Sequence, residues 1–299
     1  MVNSLFKTPA KEDHMASINN TVEVEEISCP YCRGTEHSHW ASENGFSAVR
    51  CRDCKLLYVN PRPRQDLIDA AVKTGNHTEV AGGYNVVTKR NASKVTAYRR
   101  IFQELMADTL TKGKPFSFMD IGAGYGEVVE AVASLAPTGS RIEGIEPMTP
   151  KAEAARAMGL NVQEAYVNEL DDQYDCVTLI NILSHIPDFR EFLEEIKSIV
   201  KPGGELIMET GNVAELSDAS SVPGSLNLPD HLIFAGESHC IGFLEEAGFV
   251  DIRVKRERRD GFVRFGKLAV KKALGRPVNI RLPYQSKYRA LFVRARRPN

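Results

Sequence analysis

The chain is 299 residues long, 42% apolar and 26% charged, with a formal net charge of −1. That length accommodates one large domain and a small accessory one, and the near-neutral balance argues against general polyanion binding. No apolar run approaches the roughly 20 residues needed to span a bilayer, and the first 15 residues lack a hydrophobic signal core, so a cytoplasmic protein is expected. The charge is unevenly spread. From Asp251 onward 16 Lys/Arg face 3 Asp/Glu, a surplus of 13 that leaves the first 250 residues at −14.

Residues 1–27 are polar and acidic without periodicity, which predicts a frayed tail. Residues 28–60 carry Cys29, Cys32, Cys51 and Cys54 in the spacing C-x2-C-x18-C-x2-C, which falls in the window for a four-thiolate zinc site. Two disulfides are the alternative, disfavoured in a reducing compartment. Four thiolates fill a tetrahedral zinc, so the ion would be structural, with a β-hairpin between the two knuckles and with His37 and His39 as competing ligands. A redox role would want one such pair at a helix start beside a βαβ unit.

Residues 61–112 read as a helical linker or cap. "NPRPRQDLIDAAV" gives a short helix after two prolines, and "KRNASKVTAYRRIFQELMADTL" a long one. In the latter Val95, Tyr98, Ile101, Phe102, Leu105 and Met106 recur at three and four. Within 113–256 strands and helices then alternate: strand "PFSFMDIG", helix "EVVEAVASLA", strand "RIEGIEP", a helix from "TPKAEAARAMG" with Thr149 as cap, strand "LNVQEA", the apolar strand "YDCVTLINI", helix "DFREFLEEIKSIV" and strand "ELIMET". That alternation indicates an α/β fold with a doubly wound parallel sheet. Cys176 and Cys240 are expected to be buried small hydrophobes.

The glycine turn "DIGAGYG" joins the first of these strands to its helix. Its glycines let backbone approach a ligand closely. A dinucleotide fingerprint starting at Gly122 would want a third glycine at position 127, where Glu127 stands. Asp120 would also repel a pyrophosphate but suits an ammonium group, and Glu146 ends the next strand where an acid can accept ribose hydroxyls. Adenosine joined to an amino acid, without phosphate, is S-adenosylmethionine.

On "FMDIGAGYGEVVEAV", "IEGIEP", "YDCVTLINILSHIPDFREFLEEIKSIVKPGGELIMETGN" and "EEAGFVDIRV", the chain resembles the class I S-adenosylmethionine-dependent methyltransferases over about 115–256. The closing "YRALFVRARRP" is similar to the antiparallel final strand of that seven-stranded Rossmann-like sheet, so 257–299 would be a basic segment plus the strand completing the core. The front end "CPYC…RCRDCKLLYVNPRP" is similar to ribbons on bacterial sugar methyltransferases from carbohydrate biosynthesis clusters. The resemblance implies that Asp120, Gly122, Ala123 and Gly124 hold the methionine end of the cofactor, with Tyr125 and Gly126 continuing the turn. Glu146 would take the ribose, Pro147 would flank the adenine with Glu164 or Ala165, and Asn181 and Ile182 would line the sulfonium side.

Transfer to a hydroxyl needs alignment and a base. His231, on the long loop after the fifth strand, and His185, at the C-terminal edge of the fourth, are the candidates, with Tyr84 as a further base or lid. His239 reads as a surface or packing residue, and Arg90 as an anchor for an acidic substrate. The basic segment 253–276 contains a candidate amphipathic helix, with Phe262, Phe265, Leu268 and Ala269 on one face and Arg264, Lys267, Lys271 and Lys272 toward the other, either solvated or facing phosphate-bearing or membrane-linked substrate. The expectation is O-methylation of a sugar or a nucleotide- or lipid-linked sugar. C-methylation of a keto-sugar, an RNA-modifying enzyme and a non-catalytic methyltransferase-fold partner protein are the alternatives; nucleic acid is disfavoured by the acidic first 250 residues.

Overall fold

A computed structural model describes residues 23–87, 89–258, 261–275 and 285–299, without the side chains of 263 and 264. The expected tail, 1–27, lies mostly outside the described residues, but its last residues are ordered. Val24–Glu25 pair antiparallel with Arg62–Pro63, and the Ile27 N–H donates to Asn60 Oδ1 at 2.9 Å.

The cysteine-bearing segment folds as strands β1 (His37–Glu43), β2 (Phe46–Cys51) and β3 (Leu57–Val59). Asn44, with φ 53°, and Gly45, with φ 84°, form the turn between β1 and β2, where left-handed backbone joins two paired strands. Two helices follow. α1 (Gln65–Thr74) ends at the left-handed Gly75, and α2 (Ala92–Leu105) is capped by Asn91, whose side chain accepts from the Ser93 N–H. The heptad-like spacing in α2 puts Phe102 fully into the core, its ring edge-on to Phe118 at 6.2 Å. Between these helices a short hairpin pairs Asn76–His77 with Tyr84–Asn85.

The main sheet is built from β4 (Ser117–Ile121), β5 (Arg141–Ile145), β6 (Val162–Gln163), β7 (Tyr174–Ile180) and β8 (Val200–Gly211). Helices α3 (Glu127–Ala133), α4 (Thr149–Ala157) and α5 (Phe189–Ile199) connect them. Later come β9 (Ile233–Phe234), α6 (Glu237–Glu246), β10 (Val250–Glu257), α7 (Phe262–Ala273) and β11 (Ala290–Arg296). In the order β6-β5-β4-β7-β8-β11-β10 the pairings are parallel through β8, and β11 alone is reversed, antiparallel to both β8 and β10. This is the seven-stranded α/β methyltransferase sheet. β4 is buried along its whole length and β7 along most of it, because helices cover both faces of a parallel sheet.

One local expectation changes and two details are sharpened. Thr149 is the first helical residue of α4 rather than its cap, and Met148 holds the N-cap position. Of the two readings of His239 the packing one holds: it is buried, its Nε2 lies 2.9 Å from the Cys54 carbonyl and its Nδ1 accepts from the Gly236 N–H. The ribbon, finally, is not self-contained. β9 pairs with β3, Ile233 opposite Tyr58 and Phe234 opposite Leu57, so a strand from the far end of the chain completes its sheet in the order β9-β3-β2-β1.

Candidate active site

The C-terminal ends of β4, β5 and β7 open on one cleft of about 1090 Å³. This is where an open α/β sheet places its ligands, since helix N-termini and strand ends converge at the reversal of strand order. After β4 the chain turns sharply through Gly122 and Gly124, both left-handed at φ 65° and 57°. A Cβ on Gly122 would lie 2.3 Å from Ile182 Cδ1, whereas one on Gly124 meets nothing within 4 Å. Gly122 therefore packs against the β7 exit. At Gly124 the turn leaves open space, of the kind a bound group can enter.

Two acids flank this turn. Glu146 is buried, with Oε2 accepting the Gly124 N–H at 2.7 Å and Oε1 the Met148 N–H at 3.0 Å. Each oxygen keeps a lone pair for a ligand hydroxyl. Asp120, buried at the end of β4, accepts from Thr178 Oγ1 at 2.5 Å. Burial, with the charges of Glu146 and Glu127 adding to it, pushes its carboxyl up to about 7. A buried acid held that high is one that a ligand cation would stabilise in its ionised form. These groups fit an adenosine–amino-acid cofactor.

Ala123, Pro147, Ala165, Asn181 and Ile182 line the same cleft. Asn181 sits at φ 60° where β7 ends, tied by its N–H to the Glu209 carbonyl at 2.8 Å and by Nδ2 to Glu209 Oε2 at 3.3 Å. Tyr125, Gly126 and Glu164 are not among the lining residues. Glu164 is exposed and accepts from Thr149 Oγ1 at 2.7 Å, so of the two expected adenine neighbours only Ala165 faces the cleft. Arg90 is likewise not among the lining residues, and its guanidinium pairs with Glu130 on α3.

At the mouth of the cleft the structure gathers a network that sequence reasoning saw only in part. His185 ends a short 3-10 turn after β7, and the loop carrying Asp230 and His231 is fastened to that turn by the Leu232 N–H donating to the Ser184 carbonyl at 2.6 Å. His185 Nδ1 lies 3.0 Å from the Asp230 carbonyl and 3.4 Å from its carboxylate. A carbonyl only accepts, so Nδ1 carries the hydrogen and Nε2 is the basic nitrogen of the neutral ring. On the other side of Asp230, His77 Nε2 approaches its carboxylate at 3.3 Å while Nδ1 meets Glu79 at 2.8 Å. Burial alone would lower the pKa of His77, but Asp230 and Glu79 raise it to about 9. His77 is thus an imidazolium bracketed by two acids. Asp230, desolvated yet facing His185 and His77, is held well below the usual carboxylate range.

His231 packs edge-on to His185 with ring centres 4.7 Å apart. Burial and the neighbouring His185 push its pKa down to about 4. It is therefore neutral and a weak base, which reverses its first place among the sequence candidates. Tyr84 lines the cleft, but its hydroxyl donates to Asn227 Oδ1 at 3.1 Å, and burial with nearby acids raises its pKa further from neutrality. It is a wall rather than a base. Asp230, His77 and Glu79 escaped the sequence reading; the signal available was Asp230 beside His231 and the His77-x-Glu79 spacing, with His77 ending a short strand and Glu79 in the turn after it.

The ribbon reaches this network directly. The Glu43 carboxylate, at the tip of β1, accepts from the Leu226 N–H at 2.9 Å, the Asn227 N–H at 2.8 Å and Ser225 Oγ at 2.5 Å. Arg50 on β2 caps the Ala214 and Leu216 carbonyls at 2.9 and 2.7 Å. At the ribbon's other end the four cysteines are unbridged and their sulfurs all lie within 4.8 Å of one another. Cys29 and Cys54 Sγ are 3.5 Å apart, as are Cys32 and Cys51. Tetrahedral zinc at about 2.3 Å from each sulfur separates them by about 3.8 Å. This is a four-cysteine cluster of zinc-ribbon type, and the donor set fits that ion. His37 and His39 are turned elsewhere, onto Asn60 and Ser42.

A family model described as a methyltransferase domain matches residues 90–254, more than half of the chain. The chain belongs to the methyltransferase-domain family. Within that family it is 34% identical over 104 residues to the ubiquinone biosynthesis O-methyltransferase of Aeromonas salmonicida (strain A449), covering 31% of this chain and 42% of that one. To the protein of the same description in Pseudoalteromonas translucida it is 26% identical over 148 residues, covering 44% and 61% respectively. The methyltransferase chain thus spans under two thirds of the length of these curated relatives. A solved SAM-dependent methyltransferase from Archaeoglobus fulgidus aligns with TM-score 0.49 and 17% identity over 67% of this chain and 94% of the other. The family match begins at residue 90, after the ribbon, His77, Glu79 and Tyr84.

Proposed function

We propose that this methyltransferase binds S-adenosylmethionine at Asp120, the Gly122–Gly124 turn and Glu146, and methylates a hydroxyl of a small acceptor, with His185 as general base. When bound, that cofactor supplies a methyl group on a sulfonium, a good leaving group. Asp120 offers its carboxylate to the ammonium group and Glu146 its free lone pairs to the ribose. His185 Nε2 takes the proton of the acceptor hydroxyl as oxygen bonds to the methyl carbon, leaving a methyl ether and S-adenosylhomocysteine. Asp230 holds Nδ1–H and steadies the imidazolium that forms, while His77 and Glu79 hold Asp230.

The observation carrying this reading is that His185 lines the same cleft as Asp120 and Glu146 while Asp230 fixes its tautomer. The curated relatives, described as O-methyltransferases, favour oxygen as the acceptor atom. The cleft exceeds the 300–1000 Å³ usual for a single ligand, leaving room for an acceptor beside the cofactor. A sugar or nucleotide- or lipid-linked sugar is our substrate proposal, supported by the ribbon's likeness to those of carbohydrate-cluster enzymes. We also assign a structural zinc to the four cysteines. Labelled-methyl transfer to a panel of nucleotide-sugars and phenols tests the acceptor class. Failure of the cofactor to bind, read by calorimetry, would overturn the whole reading.

A further inference from the structure

Three of the large apolar side chains most open to solvent among the described residues lie together at the C-terminal helix. Phe262 is 67% exposed, Val270 60% and Leu274, just past the helix end, 71%. At 100° per residue, Phe262, Gly266, Val270, Ala273 and Leu274 fall within an arc of about 120°. The half-buried Phe265, Leu268 and Ala269 form a separate stripe turned toward the protein. Helix α7 therefore has two apolar stripes, one half-buried and one that leaves Val270 and Leu274 open to solvent.

One border of the open stripe is basic. Lys267 and Lys271 lie along it beside Leu274, Lys272 is farther round the helix, and the stretch from Phe262 to Gly275 contains no acid. We propose that this face is a docking surface for an anionic lipid bilayer, on which the helix lies in the plane of the headgroups with Val270 and Leu274 inserted and the lysines on lipid phosphates. An interfacial helix has this composition, with apolar residues on one face and Lys/Arg at its borders. No helix among the described residues is long and apolar enough to cross a membrane, so insertion is lateral. Charge argues against one other occupant and side-chain chemistry against a second. A second copy would oppose lysines to lysines, and single-stranded RNA needs a stacking platform of several aromatics, where this stripe carries Phe262 alone. This surface is independent of which acceptor the cleft takes.

Sedimentation of the full-length protein with vesicles tests the proposal. Vesicles of phosphatidylcholine alone are compared with vesicles containing about one third phosphatidylglycerol. Retention is expected on the anionic vesicles only and should weaken as salt rises, since headgroup attraction is screened within about 10 Å at 0.1 M. Val270→Ser with Leu274→Ser should lower the partition coefficient about tenfold or more, and Lys267→Glu with Lys271→Glu should abolish it. Because all four side chains are exposed, the melting temperature and cofactor binding should be unchanged in both variants. Absence of retention, or retention untouched by the serine pair, overturns the proposal. So does a dimer that the serine pair dissolves, or tighter capture of single-stranded RNA than of anionic vesicles.

Discussion

On the proposed reading His185 is a base and Asp230 its orienter, and the two roles separate experimentally. His185→Gln keeps the fold and should lower kcat by about 10²–10⁴, the usual reach of a general base, with cofactor affinity unchanged by calorimetry. Asp230→Asn should lower kcat less but should also disturb His77, whose raised pKa depends on that carboxylate. An NMR titration should find the His77 transition moved down from about 9 in the variant. Asp120 carries a different pH dependence. Its folded pKa, raised to about 7, exceeds the unfolded value near 4, so the cofactor-free fold binds more protons than the unfolded chain between those limits. Its contribution to stability is present at low pH and is lost as pH rises through 7. Cofactor affinity runs the other way, because an ammonium group needs the ionised acid. Affinity should rise with pH by up to about tenfold per unit below 7, and Asp120→Asn should flatten that profile. A slope that survives the substitution would place the titrating group elsewhere.

Among the elements, the β1–β2 hairpin matters more to the active site than its distance in sequence suggests. Glu43 holds three donors of the 225–227 segment, just ahead of Asp230. Glu43→Ala leaves those backbone N–H groups to water, and we expect kcat to fall several-fold with cofactor affinity intact. Removing metal with a chelator should have the same signature in stronger form, together with a lower melting temperature, since the ribbon has little core of its own and such sites supply about 10 kcal/mol or more of folding free energy. In the main domain, Phe102→Ala empties a fully buried ring site between α2 and Phe118 and should cost about 3–5 kcal/mol in denaturant unfolding.

Across the whole molecule, the elements readable from sequence were those set by local chemistry. Glycine turns, the 3.6-residue spacing of α2 and α5, and the apolar run of β7 each follow from neighbours in the chain. The cysteine spacing located the cluster for the same reason. The contacts that complete the site are different, because they join residues far apart. Asp230 between His77 and His185, Glu43 under the 225–227 segment, and β9 against β3 leave no periodicity to read. The ranking of His185 and His231 has the same origin: both are histidines at strand or loop ends, and only the fold, which desolvates His231 and sets His185 beside it, distinguishes the proposed base from its neutral neighbour. A fragment limited to the family's residues 90–254 would thus keep the glycine turn while losing Glu43, His77, Glu79 and Tyr84. We expect it to bear little transfer activity even if it folds.

The pairing of Ile233–Phe234 with Leu57–Tyr58 also sets a schedule for synthesis. During translation β3, buried along its whole length in the finished protein, emerges about 175 positions before the strand that closes its edge. Until then the nascent ribbon presents unpaired backbone donors and acceptors beside apolar side chains, the arrangement that recruits other chains. A ribosome-arrested chain ending near residue 225 should therefore be the form most prone to aggregate and most in need of a chaperone. Extending it until Ile233–Phe234 has cleared the ribosome should relieve that dependence.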